Sequence, residues 1–272
     1  MGRKLIGIDL DHTTLNEAGE VSAQTRKTLQ AAQNDGHIIS IITGRPPRMA
    51  TDIYDTIGLK SPMINFNGAL GSIPRENWKD EYSFQLKHDI VFDLLEQAGN
   101  LGIKTIVAEN KHDFYGDSLS IQPAEDAVYF PKQTDSKKML EHLSLQVNVN
   151  TIILNVIDPL QQANIKQLLL ERYGSDNITV TLWGKSVLEI TPAGVSKVTG
   201  LDLLSKSFAI AKDDIYAFGD GMNDFAMLDF ATHGIVMANG HPDLKAIADD
   251  VTTYSNEDDG LARYLEKLLN LK

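Results

Sequence analysis

Apolar residues follow two rhythms along the 272-residue chain, and the rhythm changes with position. Near both ends, short β-rich runs alternate with longer stretches of helical period. Lys4–Leu10 (KLIGIDL) is one such run, closed by a polar turn. Ser22 opens a helical stretch, SAQTRKTLQAAQNDG, with Gly36 where a left-handed C-terminal residue is favoured. His37–Thr43 (HIISIIT) is almost continuously apolar, as expected of a strand covered on both faces. Pro46 and Pro47 mark a helix start, where missing amide donors cost little. Pro62–Phe66 reads as a third strand, ending in the turn Asn67-Gly68.

The C-terminal third repeats this style. A helix is predicted from Ser196 to about Ser207 and a strand over Asp214–Asp220. NDFAMLDFA, HPDLKAIADD and DGLARYLEKLLN read as helices, separated by the strands GIVMA and VTTY. Strands separated by helices predict a parallel sheet with helices on both faces. In such sheets ligands bind beyond the carboxyl ends of the strands. Between about Trp78 and Lys185 the order differs. DIVFDLLEQAG and QQANIKQLLLERYG have helical period, the apolar stripe of the second being ordinary core packing. The strand candidates are IKTIVAE, NTIILNVI, NITVTLW and SVLEIT, and some follow one another with no helix between. This predicts an α+β insert with an antiparallel sheet, residues 81–187, inside a core made of residues 1–80 and 188–272.

Charge and composition narrow the classes. A formal net charge of -12 repels nucleic acid and anionic membrane surfaces, so neither is an expected partner. The absence of cysteine excludes a disulfide framework, a thiolate zinc site and a cysteine nucleophile. The seven histidines form no pair at metal-binding helical spacing. No stretch reaches the roughly 18 apolar residues of a membrane helix, and MGRKLIGIDLDHTTL does not fit a signal peptide. A cytoplasmic location is expected.

Chemistry concentrates at predicted strand ends and helix starts. Asp9 and Asp11 stand two apart at the end of the first strand, so their side chains are expected on one side. Two carboxylates there repel unless a cation or a shared proton relieves them. Thr43 ends the second strand and offers a hydroxyl, and Gly44 allows close approach of its amide to a ligand. Lys197 begins a helix in GVSK, and Asp220, Asn223 and Asp224 cluster in GDGMNDFAML after another strand. Singly, each has a bland reading: a strand-ending turn, a solvated lysine, an N-cap asparagine. Their order and placement together make the bland reading untenable.

The series DLDHTTL, IITGR, GVSK and GDGMNDFAML resembles the haloacid dehalogenase superfamily, and within it the Cof-type (subfamily IIB) phosphatases. The resemblance implies a Rossmann-like core with an inserted α+β cap of the C2 type. It implies Mg2+-dependent hydrolysis of small phosphate monoesters, sugar phosphates being the family's common preference. By that likeness Asp9 is the nucleophile and Asp11 the general acid/base. Thr43, Gly44, Lys197 and Asn223 hold phosphate, Asp9, Asp11 (through its carbonyl) and Asp220 bind magnesium, and Asp224 stands beside these ligands. Three positions depart from the usual wording: His12 replaces a Gly and is expected to be a turn residue at positive φ, Thr14 replaces a large aliphatic residue, and Val198 a Gly. In the insert, Trp183 and Lys185, in the turn just before the chain returns to the core, and Asp113, Phe114 and Tyr115 are candidates to touch a leaving group, although a partly exposed Trp and Lys need no such explanation. The same motifs serve phosphotransferases and mutases, and an Asp-Thr-Lys set also occurs in phosphoacceptor switches, which need no large insert. The partner expected is a small phosphorylated metabolite, and no feature of the sequence sets an oligomeric state.

Overall fold

The computed structural model describes residues 2–116, the backbone of residues 138 and 139, and residues 147–271. It divides into two compact units, one formed by Met1–Tyr82 with Ser196–Lys272 and the other by Ser83–Val195. The chain starts with β1 (Leu5–Ile8), α1 (Ala23–Asn34), β2 (Ile38–Ile41), α2 (Pro47–Ile57), β3 (Met63–Asn65), β4 (Leu70–Ser72) and, at the boundary, β5 (Tyr82–Ser83). The second unit runs through α3 (His88–Leu101), β6 (Ile103–Glu109), β7 (Phe114–Gly116), β8 (Lys138–Met139), β9 (Thr151–Val156), α4 (Gln162–Tyr173), β10 (Ile178–Trp183) and β11 (Val187–Pro192). The first unit then resumes with α5 (Lys197–Ser207), β12 (Ile215–Gly219), α6 (Phe225–Phe230), β13 (His233–Val236), α7 (Pro242–Lys245), β14 (Asp250–Val251) and α8 (Gly260–Leu269).

In the first unit five parallel strands take the order β14-β13-β12-β1-β2. Alternation along β1 sends Ile6 and Ile8 to one face and Leu5 to the other. The first face packs on Leu29 of α1, Ala50 and Tyr54 of α2, and Leu261 and Leu265 of α8. The opposite face, with Ile215, Ala217 and Val236, packs on Leu201 and Leu204 of α5, Met227 of α6 and Leu244 of α7. Continuous apolar runs were therefore the right signature for these strands, since both faces are covered. Local capping follows the sequence: Ser22 accepts a hydrogen bond from Thr25 N at the start of α1, Pro47 opens α2, and Gly58 closes it in the left-handed region.

The second unit is a six-stranded sheet in the order β10-β11-β9-β6-β7-β8, antiparallel except for the β7–β8 pair. Val91 and Leu94 of α3 and Ile165 and Leu169 of α4 pack on Ile106, Ile152, Leu154, Leu188 and Ile190. Alternate positions, Val107, Ile153 and Val187, form a separate cluster with Trp183. The sequence reading returns the chain to the core at residue 188, which falls inside β11. That strand pairs along its length with β10, Val187 opposite Trp183 and Pro192 opposite Ile178, so the second unit keeps it and ends at Val195. An apolar run such as VLEIT looks alike in either sheet; only its partner decides. No helix among the described residues is long and apolar enough to cross a membrane.

Candidate active site

Three chain segments converge beyond the carboxyl ends of β1, β2 and β12. The β1–β12 ladder continues one residue past β1, with Asp9 N donating to Phe218 O at 3.0 Å, and this delivers a nearly buried Asp9 side chain. A tight turn follows, in which Leu10 O accepts from Thr13 N, Thr14 N and Leu15 N. His12 sits in that turn with φ 54, the left-handed conformation expected of it. Thr14 is buried, and its hydroxyl donates to Asp9 O at 2.5 Å, a bond that the usual aliphatic residue cannot make. On the other side of Asp9, β12 leads to Asp220 and then to Asp224. The Asp224 carboxylate folds back to accept from the amides of Asp220 and Gly221, both at 3.0 Å.

Lys197 is the first residue of α5. Ser196 caps that helix, its amide donating to Thr199 Oγ1 at 3.2 Å in a reciprocal capping box. The lysine is fully buried, with Nζ 2.5 Å from Asp9 Oδ1 and 2.6 Å from Asp224 Oδ1. Gly68 makes this approach possible. Its φ is 105, and a Cβ there would lie 2.0 Å from Ser196 O. Oxygens of Asp9, Asp220 and Asp224 lie within 4.8 Å of one another.

The charges do not balance. Three carboxylates share one ammonium, and among the described residues Asp220 has only the Thr13 hydroxyl, at 3.2 Å, as a side-chain donor. Burial pushes the Asp9 carboxyl up to about 8; Lys197 opposes this, and Asp224 and Asp220 add to it. Burial likewise moves Asp220 up to about 6, with Asp224 reinforcing the shift. Burial alone would lower Lys197, but its ion pairs with Asp224 and Asp9 outweigh that and hold it above the ordinary lysine value. A site of hard oxygen donors with uncompensated negative charge fits a divalent cation of the magnesium or calcium type.

Beside this cluster lies a neutral rim. Thr43 is buried at the end of β2, where its hydroxyl accepts from Arg45 N at 3.1 Å and so keeps its own proton to donate. Asn67 N donates to Thr43 O at 3.0 Å, and the Asn67 side chain lies where a Cβ on Gly44 would come within 3.1 Å of it. Asn223 Nδ2 approaches Asn67 Oδ1 at 3.5 Å. Asn223 is thus not an N-cap; Gly221 occupies that position. The structure brings together Asp9, Thr43, Gly44, Lys197, Asp220, Asn223 and Asp224.

Asp11 lies differently. Its carboxylate does not join the cluster, and both its oxygens are held by the guanidinium of Arg45, Nε to Oδ2 at 2.9 Å and Nη2 to Oδ1. β1 ends at Ile8 and the chain is already turning at Leu10, so Asp11 stands on a turn and not on a strand. The sequence does not single out Arg45 and Asn67, which the structure places beside Asp11 and Asn223. Their only signals were a cation directly after Thr43-Gly44 and an Asn-Gly turn after a strand. The insert candidates Trp183, Lys185, Asp113, Phe114 and Tyr115 all belong to the second unit, where Trp183 Nε1 donates to Glu189 at 2.9 Å and Phe114 and Tyr115 are buried.

A parallel sheet, interrupted in sequence by an antiparallel unit, thus presents acidic loops and one buried lysine at the edge where α/β sheets bind ligands. The haloacid dehalogenase-like hydrolase profile matches residues 6–265, and the chain belongs to that family. A Bacillus subtilis protein named a 5-amino-6-(5-phospho-D-ribitylamino)uracil phosphatase is 30% identical over 98% of both chains. A haloacid dehalogenase-like hydrolase of Bacteroides thetaiotaomicron superposes with a TM-score of 0.83 at 24% identity, covering 98% of this chain and all of that one. A subclass IIB sugar phosphatase superposes at 0.77 with 21% identity, covering 99% of this chain and all of that one. The chain is accordingly a haloacid dehalogenase-like hydrolase.

Proposed function

We propose that the enzyme hydrolyses small phosphorylated metabolites with magnesium through an aspartyl-phosphate on Asp9, using Asp11 as general acid and base. The observation that carries this reading is Lys197 Nζ, buried between Asp9 and Asp224 at the end of β1. A carboxylate approaching a phosphate dianion meets roughly 4 kcal/mol of repulsion per charge pair at 4 Å for an effective dielectric of about 20. A buried, permanently charged lysine offsets much of that.

Asp9 and Asp220, with the main-chain carbonyl of Asp11, would hold the magnesium ion. Asp224, whose oxygens are taken by Lys197 and by two backbone amides, would keep these groups in place. A bound magnesium ion supplies further neutralisation of the phosphoryl oxygens. Thr43, the Gly44 amide and Asn223 would orient those oxygens. Asp9 forms a bond to phosphorus as the bond to the leaving oxygen breaks, and that oxygen takes a proton from Asp11. Water then attacks phosphorus, gives its proton to Asp11, and releases inorganic phosphate and free Asp9. Positioning and charge neutralisation supply most of the rate in such a loose transition state.

The substrate class proposed is a phosphate on a primary hydroxyl of a sugar or sugar alcohol, supported by the substrate in the name of the 30%-identical relative. The unit Ser83–Val195 would act as the cap that selects the leaving group, and a cytoplasmic setting accords with the acidic, cysteine-free composition. A panel of phosphate esters assayed with magnesium, with and without chelator, tests the reading. Phosphate release should vanish with chelator and in Asp9→Asn, and Asp11→Asn should bind ester yet turn over very slowly. Full activity in Asp9→Ala would remove Asp9 as nucleophile, and an isomeric phosphate ester in place of inorganic phosphate would make the enzyme a mutase.

A further inference from the structure

We propose that Arg45 is a positioning residue that sets the place and plane of the Asp11 carboxylate; this rests on the acid/base reading of Asp11. Asp11 needs such a device. It lies beyond β1 on the Leu10–Leu15 turn, and its side chain is 47% exposed. A carboxylate on such a turn rotates freely unless something holds it, and a misplacement of about 1 Å can cost on the order of 100-fold in rate.

Arg45 is anchored independently of Asp11. Its carbonyl accepts from Asn65 Nδ2 at 2.9 Å and from Phe66 N at 3.3 Å, and its amide donates to Thr43 Oγ1. The guanidinium reaches Met49 O at 3.4 Å through Nη1, which leaves Nε and Nη2 to face Asp11 as a fork. Ile8 and Ile41 are register partners, so the segments that leave β1 and β2 start side by side. A two-pronged guanidinium–carboxylate bond fixes both location and orientation, which a single charge cannot. A partly exposed pair of this kind adds little to stability, so its consequence lies in the geometry of Asp11.

The test compares two probe esters. Ribose 5-phosphate has an alkoxide leaving group that needs a proton, whereas the nitrophenolate of 4-nitrophenyl phosphate departs without one. In Arg45→Met, kcat/KM on ribose 5-phosphate should fall about 10- to 100-fold, and at least about tenfold more than on 4-nitrophenyl phosphate. Asp11→Asn should show the same split more deeply, and adding Arg45→Met to it should cost less than about twofold more. Arg45→Lys, which keeps the charge but not the fork, should stay close to Arg45→Met; it carries the same comparison if the methionine variant does not fold. Equal losses on both esters, a rise in KM alone, a full additional loss in the double variant, or a lysine variant matching the parent would each overturn the proposal. If Asp11→Asn itself shows no split between esters, the acid/base reading of Asp11 has failed, a different result from failure of Arg45 alone.

Discussion

Lys197 and Asp9 are 188 positions apart in the chain and 2.5 Å apart in the fold, and neither side chain has more than marginal access to water. Removing one member of a buried ion pair leaves the other charge uncompensated, which costs about 3–5 kcal/mol. Lys197→Met should therefore lower stability by about that amount in chemical denaturation and abolish turnover at saturating substrate. A variant as stable as the parent would show that Asp9 and Asp224 do not rely on this lysine.

Metal and pH should act on stability together. A carboxyl with a higher pKa in the folded chain than in the unfolded one holds its proton more tightly when folded. Its contribution is complete below the ordinary value of 3.8 and is lost as pH rises through about 6 for Asp220 and about 8 for Asp9. Metal-free protein should therefore lose stability from these groups between about pH 4 and about pH 8. A cation competes with those protons, so the rise in Tm on adding magnesium should be larger at about pH 8 than at about pH 5.5. Thermal melts with magnesium or chelator decide this; equal increments would take the two carboxylates out of the ion's site.

Asp220→Asn separates metal binding from folding. The asparagine oxygen can still accept from Thr13, while one of three crowded negative charges is gone. The metal-free variant should melt no lower than the parent, and calorimetric magnesium affinity should drop at least about tenfold. A melt several degrees lower in chelator would mean that Asp220 holds the fold by its hydrogen bond.

Gly68→Ala tests the close approach behind Lys197. An alanine there meets Ser196 O and a φ that L-residues rarely adopt. Relief requires moving the residue next to Lys197, so stability should fall by about 2–4 kcal/mol and kcat by about tenfold or more. Unchanged kcat would show that α5 can shift without moving its lysine.

What the sequence disclosed was local. The run His37–Thr43 and the stretch after Ser22 carry their own periodicity and caps, and β2 and α1 lie there. IKTIVAE is β6 to the residue, because its neighbours Gly102 and Asn110 break the pattern. Taken alone, Lys197 reads as a solvated helix start, and only its place in the motif series marks it as a site residue; it is buried because the first turn of α5 abuts the ends of β1 and β12, a fact of packing that no window around residue 197 contains. Asp11 stands on the turn that starts at Leu10, where its carboxylate meets Arg45, a partner that the spacing of Asp9 and Asp11 does not announce. The fate of β11 likewise depended on its pairing partner.

The strand order β14-β13-β12-β1-β2 has a consequence for biosynthesis. As the ribosome releases β1 and β2, one edge of β1 has no neighbour until residues 215–219 emerge, after the whole of the second unit has been made. The second unit has its own strands contiguous in the chain and can close first. The nascent N-terminal segment meanwhile carries a bare, apolar edge, the kind of surface that chaperones cover.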